Sequence, residues 1–145
     1  MANNAKPRKK YNPKRILSAN TFNSQDLARI MLQPLQALAS IKQGHILGKF
    51  EGECYVQLQA MIMHASKIAQ YRNMAFDCQK GIRVINKIEH KMQVNDVDIQ
   101  RLEDCAKDCR RVLLGSTLEQ NKQADTDLRI YIEAHGGRYV GWGVK

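Results

Sequence analysis

Apolar residues return every three or four positions through most of the chain, the spacing that lays one apolar stripe along a helix. The first such series is Leu27, Ile30 or Met31, Leu35, Leu38 and Ile41, preceded between Thr21 and Ser24 by residues of N-cap type and stopped before Gly44. Pro34 lies inside it and removes a backbone donor. It either kinks this helix or marks the first turn of the longer half, which leaves the part from Met31 the firmer. His45 to Gly52 reads as a connector that includes Gly48 and Gly52.

The second series, Cys54, Leu58, Met61, Ile62, Ala65, Ile68 and Ala69, alternates with Gln57, Gln59, Lys67 and Gln70 and is the clearest amphipathic pattern in the chain. A third, from about Asn73 to Met92, carries Phe76, Ile82, Ile85, Ile88 and Met92, with Gly81 weakening it by roughly 1 kcal/mol relative to alanine. The spacing predicts a bend at Arg72 to Asn73 that joins these two helices without a loop. After a turn at Gln93 to Asn95, Asn95 or Asp96 caps a fourth helix whose inner face is Ile99, Leu102, Cys105, Ala106, Cys109, Val112 and Leu113. Gly115 and Ser116 end it. Ser116 with Glu119 has capping-box spacing for a fifth helix, starting at Ser116 or Thr117 and running through Leu118, Ala124, Leu128, Tyr131 and Ile132 to His135, where Gly136 and Gly137 stop it.

These patterns predict an all-α fold: a compact bundle of about five helices, residues 21–137, between a disordered basic N-terminal arm at 1–20 and a glycine- and aromatic-containing tail at 138–145. Composition agrees. Of 145 residues 43% are hydrophobic but only 6% aromatic, so the interior is built from Leu, Ile, Val, Met and Ala, which suits helix-on-helix packing. A chain of this length can close one core without metal or disulfide staples.

Charge adds a surface to this scaffold. Two-thirds of the net +9 comes from Lys6, Arg8, Lys9, Lys10, Lys14 and Arg15, which no acid accompanies within the first fifteen residues. Clustered cations on a flexible segment gain affinity for phosphates by releasing counterions, which makes the arm a candidate macromolecule-binding element. Lys80, Arg83, Lys87 and Lys91 recur at three- and four-residue spacing and predict a second basic stripe along one face of the third helix. Arg101, Lys107, Arg110 and Arg111 add cations on the fourth.

Reactive chemistry has little support in the pattern. The four cysteines, Cys54, Cys78, Cys105 and Cys109, include no Cys-x-x-Cys; Cys54, Cys105 and Cys109 fall on core faces, where a free thiol acts as a small hydrophobe, and no metal or cofactor is expected. His64 and His90 read as surface or boundary residues. Glu103 with Asp104, and Asp125 with Asp127, read as solvated or capping carboxylates, and no catalytic residue is assigned. The glycine-containing end after His135 follows a helix and lacks a Gly-Lys-Ser/Thr, so it is no phosphate cradle; its Tyr139 and Trp142 either fold back on the bundle or anchor a partner. No apolar run reaches the roughly 20 residues of a membrane span, and with no apolar leader at the start the expected setting is reduced and cytoplasmic.

The opening Lys-Pro-Arg-Lys-Lys-Tyr-Asn-Pro-Lys-Arg, followed by Met31-Leu32-Gln33-Pro34-Leu35 and an all-helical remainder, resembles small basic accessory proteins encoded by phages and prophages. The resemblance implies stoichiometric binding to a host or phage protein, nucleic acid or both, in the cytoplasm of a host cell. One form is inhibition of a host-defence nuclease, as anti-CRISPR proteins do. The alternative is direct DNA or RNA binding in phage regulation or packaging. A homodimer is expected if an apolar stripe is left over or Trp142 docks across a two-fold axis.

Overall fold

The computed structural model describes residues 21–43 and 49–139, and among these it contains six helices and no strand longer than a single bridge. They are α1 (Ser24–Ile30), α2 (Leu32–Lys42), α3 (Lys49–Arg72), α4 (Gln79–Glu89), α5 (Asp96–Leu113) and α6 (Leu118–Ala134). The fold is all-α, as the periodicity predicts. The basic arm, Lys6 to Arg15, and Trp142 lie outside the described residues.

The expected first helix is two. Met31 is the C-cap of α1 and the N-cap of α2, and Pro34 falls in the first turn of α2, where a missing N–H costs nothing. The break sets the stripe of α2 to Pro34, Ala37, Leu38 and Ile41, which leaves Leu35 exposed. Helix α3 starts at Lys49, so Gly52 is helical and not part of a connector. The junction of α3 and α4 is a true loop: Asn73 takes a left-handed φ of 59°, and 73–78 is not helical until Gln79. Phe76 therefore packs from a loop, and Met92, beyond the end of α4, is exposed.

Helix α5 starts as its sequence predicts, with Asn95 and Asp98 forming a reciprocal capping box. Helix α6 is capped by Thr117 with Gln120, not by Ser116 with Glu119. Ser116 is buried instead and donates from Oγ to the Leu113 carbonyl at 2.6 Å. Tyr131, expected inside, is 55% exposed, because Ala124 and Leu128 are the residues of α6 that face α3.

One hydrophobic core joins these helices, centred on Leu58, Met61, Ile62, Ala65 and Ile68 of α3 and closed by Leu27, Val84, Ile85, Leu102, Val112 and Leu113. Helix α3 packs on α2, α4, α5 and α6. The entry strand is held by an antiparallel bridge between Thr21 and Thr117, with Phe22 N–H donating to the Ser116 carbonyl and Gly115 N–H to the Phe22 carbonyl. Gly115 sits at φ +80°, a conformation that only glycine adopts freely, and so makes that clasp.

His64 corrects the sequence reading most. It is fully buried, not at the boundary, and its Nε2 lies 2.7 Å from Asn121 Oδ1. Asn121 Nδ2 then donates to Ser116 Oγ at 2.8 Å, so a buried polar chain runs from α3 through α6 to the end of α5. A polar group without such partners would cost roughly 1–3 kcal/mol in this interior.

Candidate anion-binding cleft

Helices α4 and α5 form an antiparallel hairpin in close contact. Lys87 meets Asp98 at one end, and further along the seam a Cβ placed on Gly81 would lie 2.7 Å from Cys105 Sγ. On the outer side of the hairpin is an open cleft of about 290 Å³ lined by Asp77, Lys80, Arg83, Val84, Lys87, Asp98 and Arg101.

Asp98 organises its far end. The carboxylate is buried, with a side chain 2% exposed, and it accepts two contacts from Lys87 Nζ, at 3.1 and 3.0 Å. The Arg101 guanidinium lies 3.6 Å from it, and the Asn95 N–H donates to it at 3.2 Å. That backbone donor foremost, and then Lys87, hold the Asp98 carboxyl below its ordinary pKa, so it stays charged. Two cations around one carboxylate leave this end of the cleft net positive. Lys80 and Arg83 stand midway, and neither has a carboxylate partner among the described residues. Asp77 closes the opposite end, where its Oδ1 accepts from the N–H of Gln79, the first residue of α4, at 3.1 Å.

Of the stripe expected on α4, Lys80, Arg83 and Lys87 line one cleft. Lys91 does not join them: α4 ends at Glu89, and Lys91 has turned into a left-handed conformation at φ 56°. Of the second basic set only Arg101 reaches the cleft. Arg111 donates to the Ala75 carbonyl at 2.8 Å and braces the loop 73–78, Arg110 approaches Ser24, and Lys107 is exposed. Asp98 was missed as a site residue, although its spacing three after Asn95 is a capping-box signal.

Other constellations have structural work. Tyr139 folds back on α6, its hydroxyl donating to Asp125 at 2.5 Å while the Arg129 guanidinium lies 5.5 Å from its ring centre. Tyr71 donates to Asp127, which also accepts from Gln123. Cys105 and Cys109 are buried one turn apart. The Cys109 thiol, and then the Gly81 N–H, hold Cys105 below the ordinary thiol range, while burial pushes Cys109 up. The side chain of Cys54 lies outside the described residues. Among the described residues no group of three or more His, Cys, Asp or Glu could hold a metal ion, and no helix is long and apolar enough to cross a membrane.

A second concavity, about 480 Å³, runs over the outer face of α3 between α4 and α6, with Met63, Ile82, Leu128 and Tyr131 on its walls. Among the described residues, Lys67 is the one charged residue that lines it. It offers shape and apolar contact, whereas the α4–α5 cleft offers charge.

Compared with known proteins, the chain matches no family model, no curated protein and no solved structure.

Proposed function

We propose that this protein is a non-catalytic binding protein that holds the phosphates of nucleic acid in the α4–α5 cleft. The observation that carries this reading is the pair Lys80 and Arg83, two cations with no carboxylate within ion-pair distance among the described residues, on an open cleft whose neighbours Lys87 and Arg101 are held in place by a buried Asp98. Lys87 and Arg101, already held by Asp98, lose little further freedom on binding, and each phosphate that the cleft neutralises releases condensed counterions. The basic residues of the arm, Lys6 to Arg15, supply further non-specific affinity on this reading. Binding of this kind is stoichiometric and fits the phage-type accessory role that the sequence resembles, in which occupying a nucleic acid blocks or redirects whatever else uses it.

The test is a salt series with short single-stranded and duplex oligonucleotides. Affinity should fall steeply between about 50 and 200 mM salt, and Lys80→Gln with Arg83→Gln should reduce the log–log slope by about 1.4–1.8, the share of two phosphate contacts. Deleting residues 1–15 should lower affinity and slope further without abolishing the contribution of the cleft. No binding to any oligonucleotide at about 50 mM salt would overturn the reading. Capture of one host protein in that circumstance would shift the accessory role to direct blockade of a protein.

A further inference from the structure

The charges of the cleft are ordered along its length, and the order says which part of a nucleic acid it suits. Lys80, Arg83 and Lys87 follow one another along α4, and the first and last are about 10 Å apart along the helix axis at 1.5 Å per residue. At the Lys87 end the cleft is net positive, because Lys87 and Arg101 share one carboxylate. Midway stand the unshared cations Lys80 and Arg83. Beyond Lys80 stands Asp77, whose carboxylate accepts from the Gln79 N–H and has no cation within ion-pair distance among the described residues.

A phosphodiester backbone places a negative charge every few ångströms, about 3.4 Å per nucleotide along the axis of duplex DNA. A strand entering over Lys87 and Arg101 meets cations as far as Lys80, and its next phosphate then meets a carboxylate. Like charges in that position repel, so a continuous strand is disfavoured and one that stops at Lys80 is not. A terminal phosphate monoester also carries close to two negative charges at neutral pH, against one for a phosphodiester, and two neighbouring cations reward the higher charge.

We infer that the cleft receives the phosphorylated end of a nucleic-acid strand, with the terminal phosphate between Lys80 and Arg83 and Asp77 acting as the stop. This rests on the nucleic-acid reading above and adds the part of the ligand that is recognised. A free nucleotide carries the same phosphate chemistry, so the test has to separate an end from a monomer.

The experiment is binding of the full chain to one short single strand in four forms, with phosphate or hydroxyl at the 5′ end and phosphate or hydroxyl at the 3′ end, and separately to a mononucleotide and to inorganic phosphate. One of the end-phosphorylated forms should bind about tenfold more tightly than its hydroxyl counterpart, a difference of about 1.4 kcal/mol. Lys80→Gln with Arg83→Gln should remove that preference while leaving measurable binding. Asp77→Asn should narrow the preference by admitting internal phosphates, with Lys107→Gln, an exposed cation of α5 outside the cleft, as the surface control that keeps it. The mononucleotide and inorganic phosphate should compete only weakly, since they lack the following phosphates that reach Lys87 and Arg101. Equal affinity for all four forms, with the salt dependence intact, overturns the end preference and leaves the nucleic-acid reading standing. Tight binding of the mononucleotide, matching the strand, overturns the strand end in favour of a free nucleotide. No binding of any strand overturns both.

Discussion

Gly81 of α4 and Cys105 of α5 approach so closely that a Cβ on residue 81 would lie 2.7 Å from the cysteine sulfur and 2.8 Å from Ile62 Cδ1. Propensity alone makes glycine a flaw within a helix, worth up to about 1 kcal/mol against alanine, even in the first turn of α4 where Gly81 lies. Here the missing side chain is what lets three helices meet. Gly81→Ala should therefore destabilise, by about 1–3 kcal/mol, as overpacking does in a filled core. Urea unfolding of the two proteins decides it: a higher midpoint for the alanine variant would show that the contact relaxes freely.

His64 gives the fold a pH dependence of definite sign. Burial lowers its pKa below the ordinary value, against the Asn121 hydrogen bond and the Asp125 charge, which raise it. The unfolded chain takes up a proton at about pH 6.5 and the folded chain only at lower pH, so the unfolded state gains protons first. Stability should be level above pH 7 and fall as the pH drops from about 6.5 towards 5. His64→Gln should start less stable and show a much flatter profile in that window. A wild-type denaturation midpoint that holds constant from pH 7 to 5 would contradict this account.

Asp98 acts in a lower window. Its pKa is depressed, by the Asn95 N–H first and Lys87 second, so its contribution is whole above the usual carboxylate range, near 4, and is lost as the pH falls below that value. The Lys87 side chain is 36% exposed, so water screens the pair, and Asp98→Asn should cost about 1–3 kcal/mol, the range for an unbalanced buried hydrogen-bonding group. Thermal unfolding at pH 7 and pH 3 checks both points. The gap between the variant and wild type should be wide at pH 7 and narrower at pH 3.

Arg72, at the end of α3, donates from Nη1 to the carbonyls of Val112 and Leu114, both at 2.8 Å, and so satisfies the open end of α5. Lysine keeps the charge but is shorter and lacks the guanidinium's fixed N–H directions. Arg72→Lys should cost about 1.5–3 kcal/mol, the range for hydrogen bonds to a charged group, with amide exchange faster in the last turn of α5 and little changed in α4. Unaltered protection at Val112 to Leu114 would show that water replaces the guanidinium without loss.

Helix existence was legible because each inner face repeats at helical spacing, and the Asn95 cap was legible because its spacing to Asp98 is local. The loop at 73–78 was not. Nothing in Asn73-Met-Ala-Phe-Asp-Cys78 forbids a helix; Arg111 reaching the Ala75 carbonyl from α5 holds it open, which is a tertiary contact. The same loop and the end of α4 decide which cations form a surface, so Lys91 kept the right spacing and lost the shared face. His64 was misread for a related reason: its partner Asn121 lies 57 residues away, and only packing brings an amide to a buried imidazole. Lys80, Arg83 and Lys87 were readable as a stripe, whereas Asp77 and Asp98, which bound the cleft, are acids that a count of cations passes over.

Helix α3 touches α2, α4, α5 and α6, so it acts as a central rod from which the α4–α5 hairpin and α6 both hang. A rod held from several sides opens last, while an element packed along one side can loosen alone. The α4–α5 cleft lies open on the rim, so on the proposed nucleic-acid reading a phosphate reaches Lys80 and Arg83 without any breach of the interior.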